Sequence, residues 1–194
     1  MGFSLSWNAT RGIGADAALA LQELAATGVD ANYLESPVSA VSLEGGWLLV
    51  VASGCDHRIT SASILAKLSV GCEVVACTVE EHVMFSSSEL WSDGRRVWRV
   101  EHDAQLAFDH LIATGSPPDD FASTRAHFAA QQEAEGGAKA EVDFYFEIPL
   151  VLAQSRVGFK HDETSAESTD GRFNVLSDFG THNKSNRPWW QFWR

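Results

Sequence analysis

Histidine beside carboxylate is the most frequent pairing with chemical potential in this sequence. Five of the seven histidines adjoin an acid: Asp56-His57, Glu81-His82, Glu101-His102-Asp103, Asp109-His110 and His161-Asp162. With 26 acids among 194 residues, chance gives roughly two. An imidazole with a carboxylate is the material of general acid–base catalysis and of transition-metal ligation. Neighbours on a strand, however, point to opposite faces, whereas metal ligands must converge at about 2.0–2.2 Å. A metal reading therefore needs pairing across elements, for instance His57 with His82 at neighbouring loop ends. Solvated or salt-bridged histidines are the simpler expectation. The sequence points to no catalytic residue, no metal ligand and no cofactor.

Other chemical signatures are missing from the sequence. It contains no H-E-x-x-H, no G-x-S-x-G and no P-loop. Gly12-Ile13-Gly14 lies between a strand and a helix, but Asp16 in the first helical turn opposes an anion, so a tight turn is expected there. Three cysteines, Cys55, Cys72 and Cys77, fit neither a zinc site nor a disulfide framework and read as reduced thiols.

Binding, in contrast to catalysis, has candidate residues. Glu80-Glu81-His82 ends a strand and, with Asp56-His57, makes an acidic rim. Glu89 sits on an apolar strand face, opposite Trp98 and diagonal to Arg96, where a cross-strand ion pair is expected. Asp56, Glu80, Glu81 and Glu89 would meet a basic partner, with Trp91 or Trp98 as an apolar anchor. The formal net charge of −12 fits that partner and opposes nucleic acid or an anionic membrane surface.

These residues have to be placed by a sheet. Residues 3–10 alternate as a strand. Residues 14–27 are Ala- and Leu-rich and read as a helix with Gly28 as its C-cap. Residues 38–43 and 47–53 are strands around Glu44-Gly45-Gly46. The second is apolar almost throughout, like a central strand buried on both faces. Thr60 or Ser61 caps a short helix ending near Gly71, and 72–80 is a strand. Asp93-Gly94 then makes a two-residue hairpin turn. Its register places Leu90 opposite Val97, Glu89 opposite Trp98, Ser87 opposite Val100 and Phe85 opposite His102. Phe85, Trp91, Trp98 and Val100 then share one face.

After about residue 104 the pattern turns helical. Ser116-Pro117-Pro118-Asp119-Asp120 starts a helix that Gly136-Gly137 ends. Phe144 and Phe146 alternate as strand or extended chain, Pro149 suits a first helical turn, and Gly158-Phe159 closes that helix. Residues 160–173 read as a loop. The chain ends RPWWQFWR, an aromatic tail expected to fold back onto apolar surface.

The expected fold class is therefore α+β. A mainly antiparallel sheet of five or six strands forms a ferredoxin-like βαββαβ core with an added hairpin, followed by C-terminal helices. The chain reads as a single domain over 1–194, sheet-rich over 1–103 and helical with an aromatic tail over 104–194. Neither a signal peptide nor an apolar run of membrane-spanning length is visible, so the expected location is cytoplasmic.

At FEIPLVLAQSRVGFKHDE (146–163) and CEVVACTVEEHVMFSSSELWSDGRRVWRVEHD (72–103) the chain resembles small uncharacterised bacterial cytosolic proteins, some similar in style to immunity proteins encoded beside secreted toxins. That resemblance spans about 18–163 and transfers no functional residue. With the charge, it implies a non-enzymatic protein-binding module, an immunity-type inhibitor that occludes a basic toxin domain. The alternative is a small-ligand or metal-binding enzyme using acid–histidine pairs on the sheet.

Overall fold

The computed structural model describes residues 2–163 and 172–178. The strands are β1 (Ser4–Arg11), β2 (Leu24–Ala31), β3 (Val38–Ser42), β4 (Leu48–Ser53), β5 (Glu73–Glu80), β6 (Phe85–Ser92), β7 (Arg95–Asp103), β8 (Ile112–Gly115) and β9 (Phe173–Asp178). The α-helices are α1 (Ala15–Leu21), α2 (Ala62–Leu68), α3 (Phe121–Ala134) and α4 (Glu147–Val157). The strands form one nine-stranded sheet, ordered β2-β9-β3-β4-β1-β5-β6-β7-β8, with every pairing antiparallel. The fold is thus α+β, with more strands than the five or six expected.

Alternation along β1, β4 and β5 explains why both faces are covered. Leu5, Trp7, Ala9, Leu49, Val51, Val75, Cys77 and Val79 face one core with α4 residues Ile148, Leu150 and Leu152. Leu48, Val50, Ala52, Val74 and Ala76 face a second core with Ala18 and Leu19 of α1 and Leu65 and Leu68 of α2. The apolar run 48–52 is a central strand, as its composition requires. Helix α4 begins with Pro149 in its first turn and closes at Gly158, which holds φ 80°, a conformation that suits glycine.

Three local readings need correction. Residues 22–27 leave the helix: Glu23 takes φ 58° and Leu24 starts β2, paired with β9. Gly28 is not a helix cap. At φ 76° it lies in the irregular stretch where β2 slips against β9 between Ala26 and Asp30. Residues 144–146 form the turn leading into α4, not a strand. Two strands, β8 and β9, come from stretches read as helical or loop. The aromatic tail, 187–194, lies outside the described residues. No described helix is long and apolar enough to cross a membrane.

The hairpin register also changes. Ser92↔Arg95 and Trp91↔Arg96 follow from the Asp93-Gly94 turn, but then Val97 bulges out and Leu90 pairs Trp98. Glu89 therefore faces Arg99, Ser88 faces Val100 and Ser86 faces His102. A one-residue slip moves side chains to the other face. Trp98, Val100 and Leu90 join the α4 core, while Trp91 joins the α1–α2 core. The bulge coincides with Gly115 of the edge strand. This glycine has φ +77°, and a Cβ there would lie 2.1 Å from the Val97 carbonyl oxygen.

Gly115→Ala is expected to destabilise the protein by about 1–3 kcal/mol in urea unfolding, because both the backbone conformation and the contact with Val97 oppose a side chain. An unchanged midpoint would show that β8 does not need this approach.

Candidate functional site

The C-terminal ends of β4, β5 and β7 and the start of β1 share one end of the sheet, as Leu5↔Ser53, Ser4↔Glu80 and Phe85↔Asp103 register shows. All five acid-flanked histidines gather around this end. Their working partners are not their sequence neighbours. His82 Nδ1 meets Glu80 Oε1 at 2.6 Å. His161 Nε2 meets Glu81 Oε1 at 3.1 Å, whereas Asp162 lies 4.0 Å from the other ring nitrogen. His102 Nε2 donates to Asp143 Oδ2 at 2.8 Å.

His102 is a fully buried ring, 0% exposed. Its Nδ1 donates to the His110 carbonyl oxygen at 2.6 Å, so both ring nitrogens face acceptors. The Asp143 carboxylate and the His110 carbonyl thereby fix the orientation of the ring. Tyr145 stacks on the ring, with centroids 6.3 Å apart. The His110 ring takes the Asp103 N–H on its own Nδ1 at 2.9 Å.

Asp143 reaches this place through a scaffold with no signature in the local sequence. Buried Gln132 of α3 donates to the Gly137 carbonyl and accepts the Phe144 N–H, both at 2.8 Å. Ser86 of β6 donates to the Phe146 carbonyl at 2.7 Å, which pins the start of α4 to the sheet. The segment between them carries Asp143. The start of α4 carries Glu147, whose Oε2 lies 3.0 Å from Lys160 Nζ.

Glu81, Asp143 and Glu147 line one hollow of about 380 Å³, with Met84, Val142 and Phe146 as apolar walls. Each carboxylate has a cation-capable group behind it: His161 behind Glu81, His102 behind Asp143, Lys160 behind Glu147. Glu81 also accepts the Phe3 N–H at 2.8 Å. Burial pulls the Lys160 ammonium down, but hydrogen bonds to Asp162 and Glu147 outweigh it and raise its pKa. Among the described residues, no three His, Cys, Asp or Glu side chains are placed to hold a metal ion.

Of the expected binding residues, Glu80, Glu81 and exposed Asp56 do sit at this end. Glu89, Trp91 and Trp98 do not. Glu89 is 5% exposed in mid-strand, ion-paired to Arg96 at 3.4 Å and Arg99 at 3.6 Å. The expected Arg96 pair exists, and the bulge adds Arg99. Trp91 and Trp98 are 7% and 2% exposed, interior side chains that leave little ring surface for a partner. Asp143, Glu147, Gln132 and Lys160 went unread because their meaning lies in contacts tens of residues away.

The surroundings of the cysteines disfavour the thiolate. Burial pushes Cys77 up, and burial followed by the nearby Glu80 and Asp56 charges raises Cys55, so neither favours the thiolate. Glu80 moves the other way. Hydrogen bonds from Ser4, then from His82, hold its carboxyl down to about 2. Burial, then the Arg58 charge, lowers His57, whose Nδ1 accepts the Ile59 N–H at 3.4 Å and so must be unprotonated.

No family model, no curated protein and no solved structure matches this chain.

Both shifted groups bind fewer protons in the folded state, so both stabilise at higher pH. The His57 contribution is complete above about pH 6.5 and is lost as pH falls through its lowered value. The Glu80 contribution is complete above 4.5 and is lost towards about 2. His57→Asn retains a capping acceptor without the titration. Its melting temperature should lose the step below pH 6.5 that the wild type shows; an identical pH profile would refute the assignment.

Asp143→Ala should cost about 3–5 kcal/mol in chemical denaturation, since it strands a buried His102. His102→Leu/Asp143→Leu should recover much of that loss. A double variant as unstable as the single one would mean that packing, not charge, sets the cost.

Proposed function

We propose that this protein is a non-enzymatic cytoplasmic binding module for a basic protein, of the immunity type that blocks a toxin by covering its working surface. The observation that carries this reading is the hollow in which Glu81, Asp143 and Glu147 converge, each with a cation-capable group on its far side. Lysine or arginine side chains of a partner fit such a hollow: their charge meets the carboxylates and their methylene stems meet Met84, Val142 and Phe146. The backing groups hold the carboxylates in place before the partner arrives, which lowers the ordering cost of binding. Asp56 and Glu80 extend the negative surface, and the net charge of −12 speeds encounter with a basic partner.

We read β1-α1-β3-β4-α2-β5 as a ferredoxin-like core with β2 and β9 added at one side. The order β3-β4-β1-β5 and the packing of α1 and α2 against one face support it. The competing enzyme reading, acid–histidine pairs acting on a small ligand or metal, is disfavoured by burial. The His102 and His161 side chains are 0% and 1% exposed, so the carboxylates, not the rings, reach the hollow.

Affinity capture from native extract at low salt is expected to yield one stoichiometric basic protein that elutes below about 0.5 M salt. Asp56→Asn/Glu147→Gln should weaken that complex at least about tenfold, mostly through a slower on-rate. Recovery of no stoichiometric partner, or a complex indifferent to both salt and the double variant, would overturn the reading.

A further inference from the structure

The opposite end of the sheet gathers arginines. Arg11 ends β1, Arg95 and Arg96 begin β7, and Arg156 lies in the last turn of α4. Arg11 and Arg156 both pair with Glu73, each guanidinium taking one carboxylate oxygen. That arrangement holds two guanidinium groups together with only one charge neutralised. Arg11 is further fixed by stacking over the Trp47 ring, 4.5 Å from its centroid. The Nε of Arg156 is buried and has no acceptor among the described residues, which leaves a donor in need of one.

These two arginines line a hollow of about 360 Å³ together with Pro118, Asp120 and Ser155, over the buried Trp98 and Leu152. Asp120 heads α3, yet its side chain makes no capping bond. No hydrogen bond or ion pair holds its carboxylate among the described residues. One hollow therefore offers a surplus positive charge on one part of its wall and an unengaged carboxylate on another. It lies at the far end of α4 from the acidic hollow; Glu147 and Arg156 are nine residues, about 13 Å, apart along the helix axis.

We propose that this second hollow binds a small zwitterion, a free α-amino acid. The ligand carboxylate takes guanidinium N–H groups of Arg11 and Arg156, and its ammonium takes Asp120. A guanidinium pair matches a carboxylate in geometry as well as charge, which a lysine pair would not do. A simple anion satisfies the arginines but leaves Asp120 facing a like charge. A simple amine satisfies Asp120 but leaves the surplus guanidinium charge unbalanced. The zwitterion alone satisfies both ends.

Calorimetric titration of the full chain with L-leucine and L-phenylalanine tests this, with their deaminated acids and decarboxylated amines alongside. One saturable site for at least one amino acid is expected, with both of its analogues at least about tenfold weaker. Asp120→Asn should weaken that amino acid about tenfold while leaving its deaminated acid unchanged and the melting temperature close to that of the wild type, since the bonds Asp120 makes within the fold use its backbone carbonyl and not its carboxylate. Asp56→Asn/Glu147→Gln, altered at the other end, should bind the amino acid like the wild type, so this site stands or falls apart from the partner surface. No saturable binding of either amino acid at millimolar concentration, equal affinity for an analogue, or an Asp120→Asn protein that binds as the wild type would each overturn the proposal.

Discussion

A strand apolar on both sides cannot end at water on either. That constraint on β1 and its neighbours β4 and β5 organises the rest of the molecule. Helices α1 and α2 cover one face, and the other takes α4. Once α4 lies across the sheet, its two ends necessarily overhang the two ends of β1, β5 and β7. Glu147 then falls beside the C-terminal end of β5, and Arg156 beside its first residue, Glu73. Both hollows are consequences of where one helix must lie to keep Trp7, Leu49 and Val75 dry.

The charge pattern follows from the same placement. Histidines with their carboxylates collect at one end of the sheet, and Arg11, Arg95, Arg96 and Arg156 with Glu73 at the other. Neither end is a bare cluster. Glu81, Asp143 and Glu147 have cation-capable partners, while Arg11 and Arg156 share Glu73. Pairing of this kind offsets the cost of taking charge out of water. The pairing keeps like-charged side chains close together without the repulsion that unpaired ones would suffer.

Much of this was legible in sequence wherever the cause was local. The Asp93-Gly94 turn, Pro149 in the first turn of α4 and Gly158 at its end each act within a few residues, and each reads correctly. The Val97 bulge does not, because its reason is Gly115, eighteen positions on, pressing against the Val97 carbonyl. β2 was read as helix since Leu24, Ala25 and Ala26 favour helix in isolation, and only β9, about 150 residues later, makes them a strand. The site divides along the same line. Asp56, Glu80 and Glu81 lie at strand ends that alternation reveals. His102 and His161 were singled out by adjacent acids, yet Asp143 and Glu81 are the acids they bond. Adjacency marked the right rings through the wrong partners.

The position of β9 has a consequence for the timing of folding. β2 pairs with β9 alone, and β9 lies between β2 and β3. At about 5–20 residues per second of synthesis, residue 178 emerges roughly 7–30 s after residue 31. Throughout that interval β2 has no hydrogen-bonding partner in the sheet, and β3 offers the nascent chain's surroundings an open edge. Such an edge recruits other strands. A cell making this protein quickly, on many ribosomes at once, therefore holds a population of chains whose last β-ladder is unfilled, and their safety rests on the brevity of β3, five residues long.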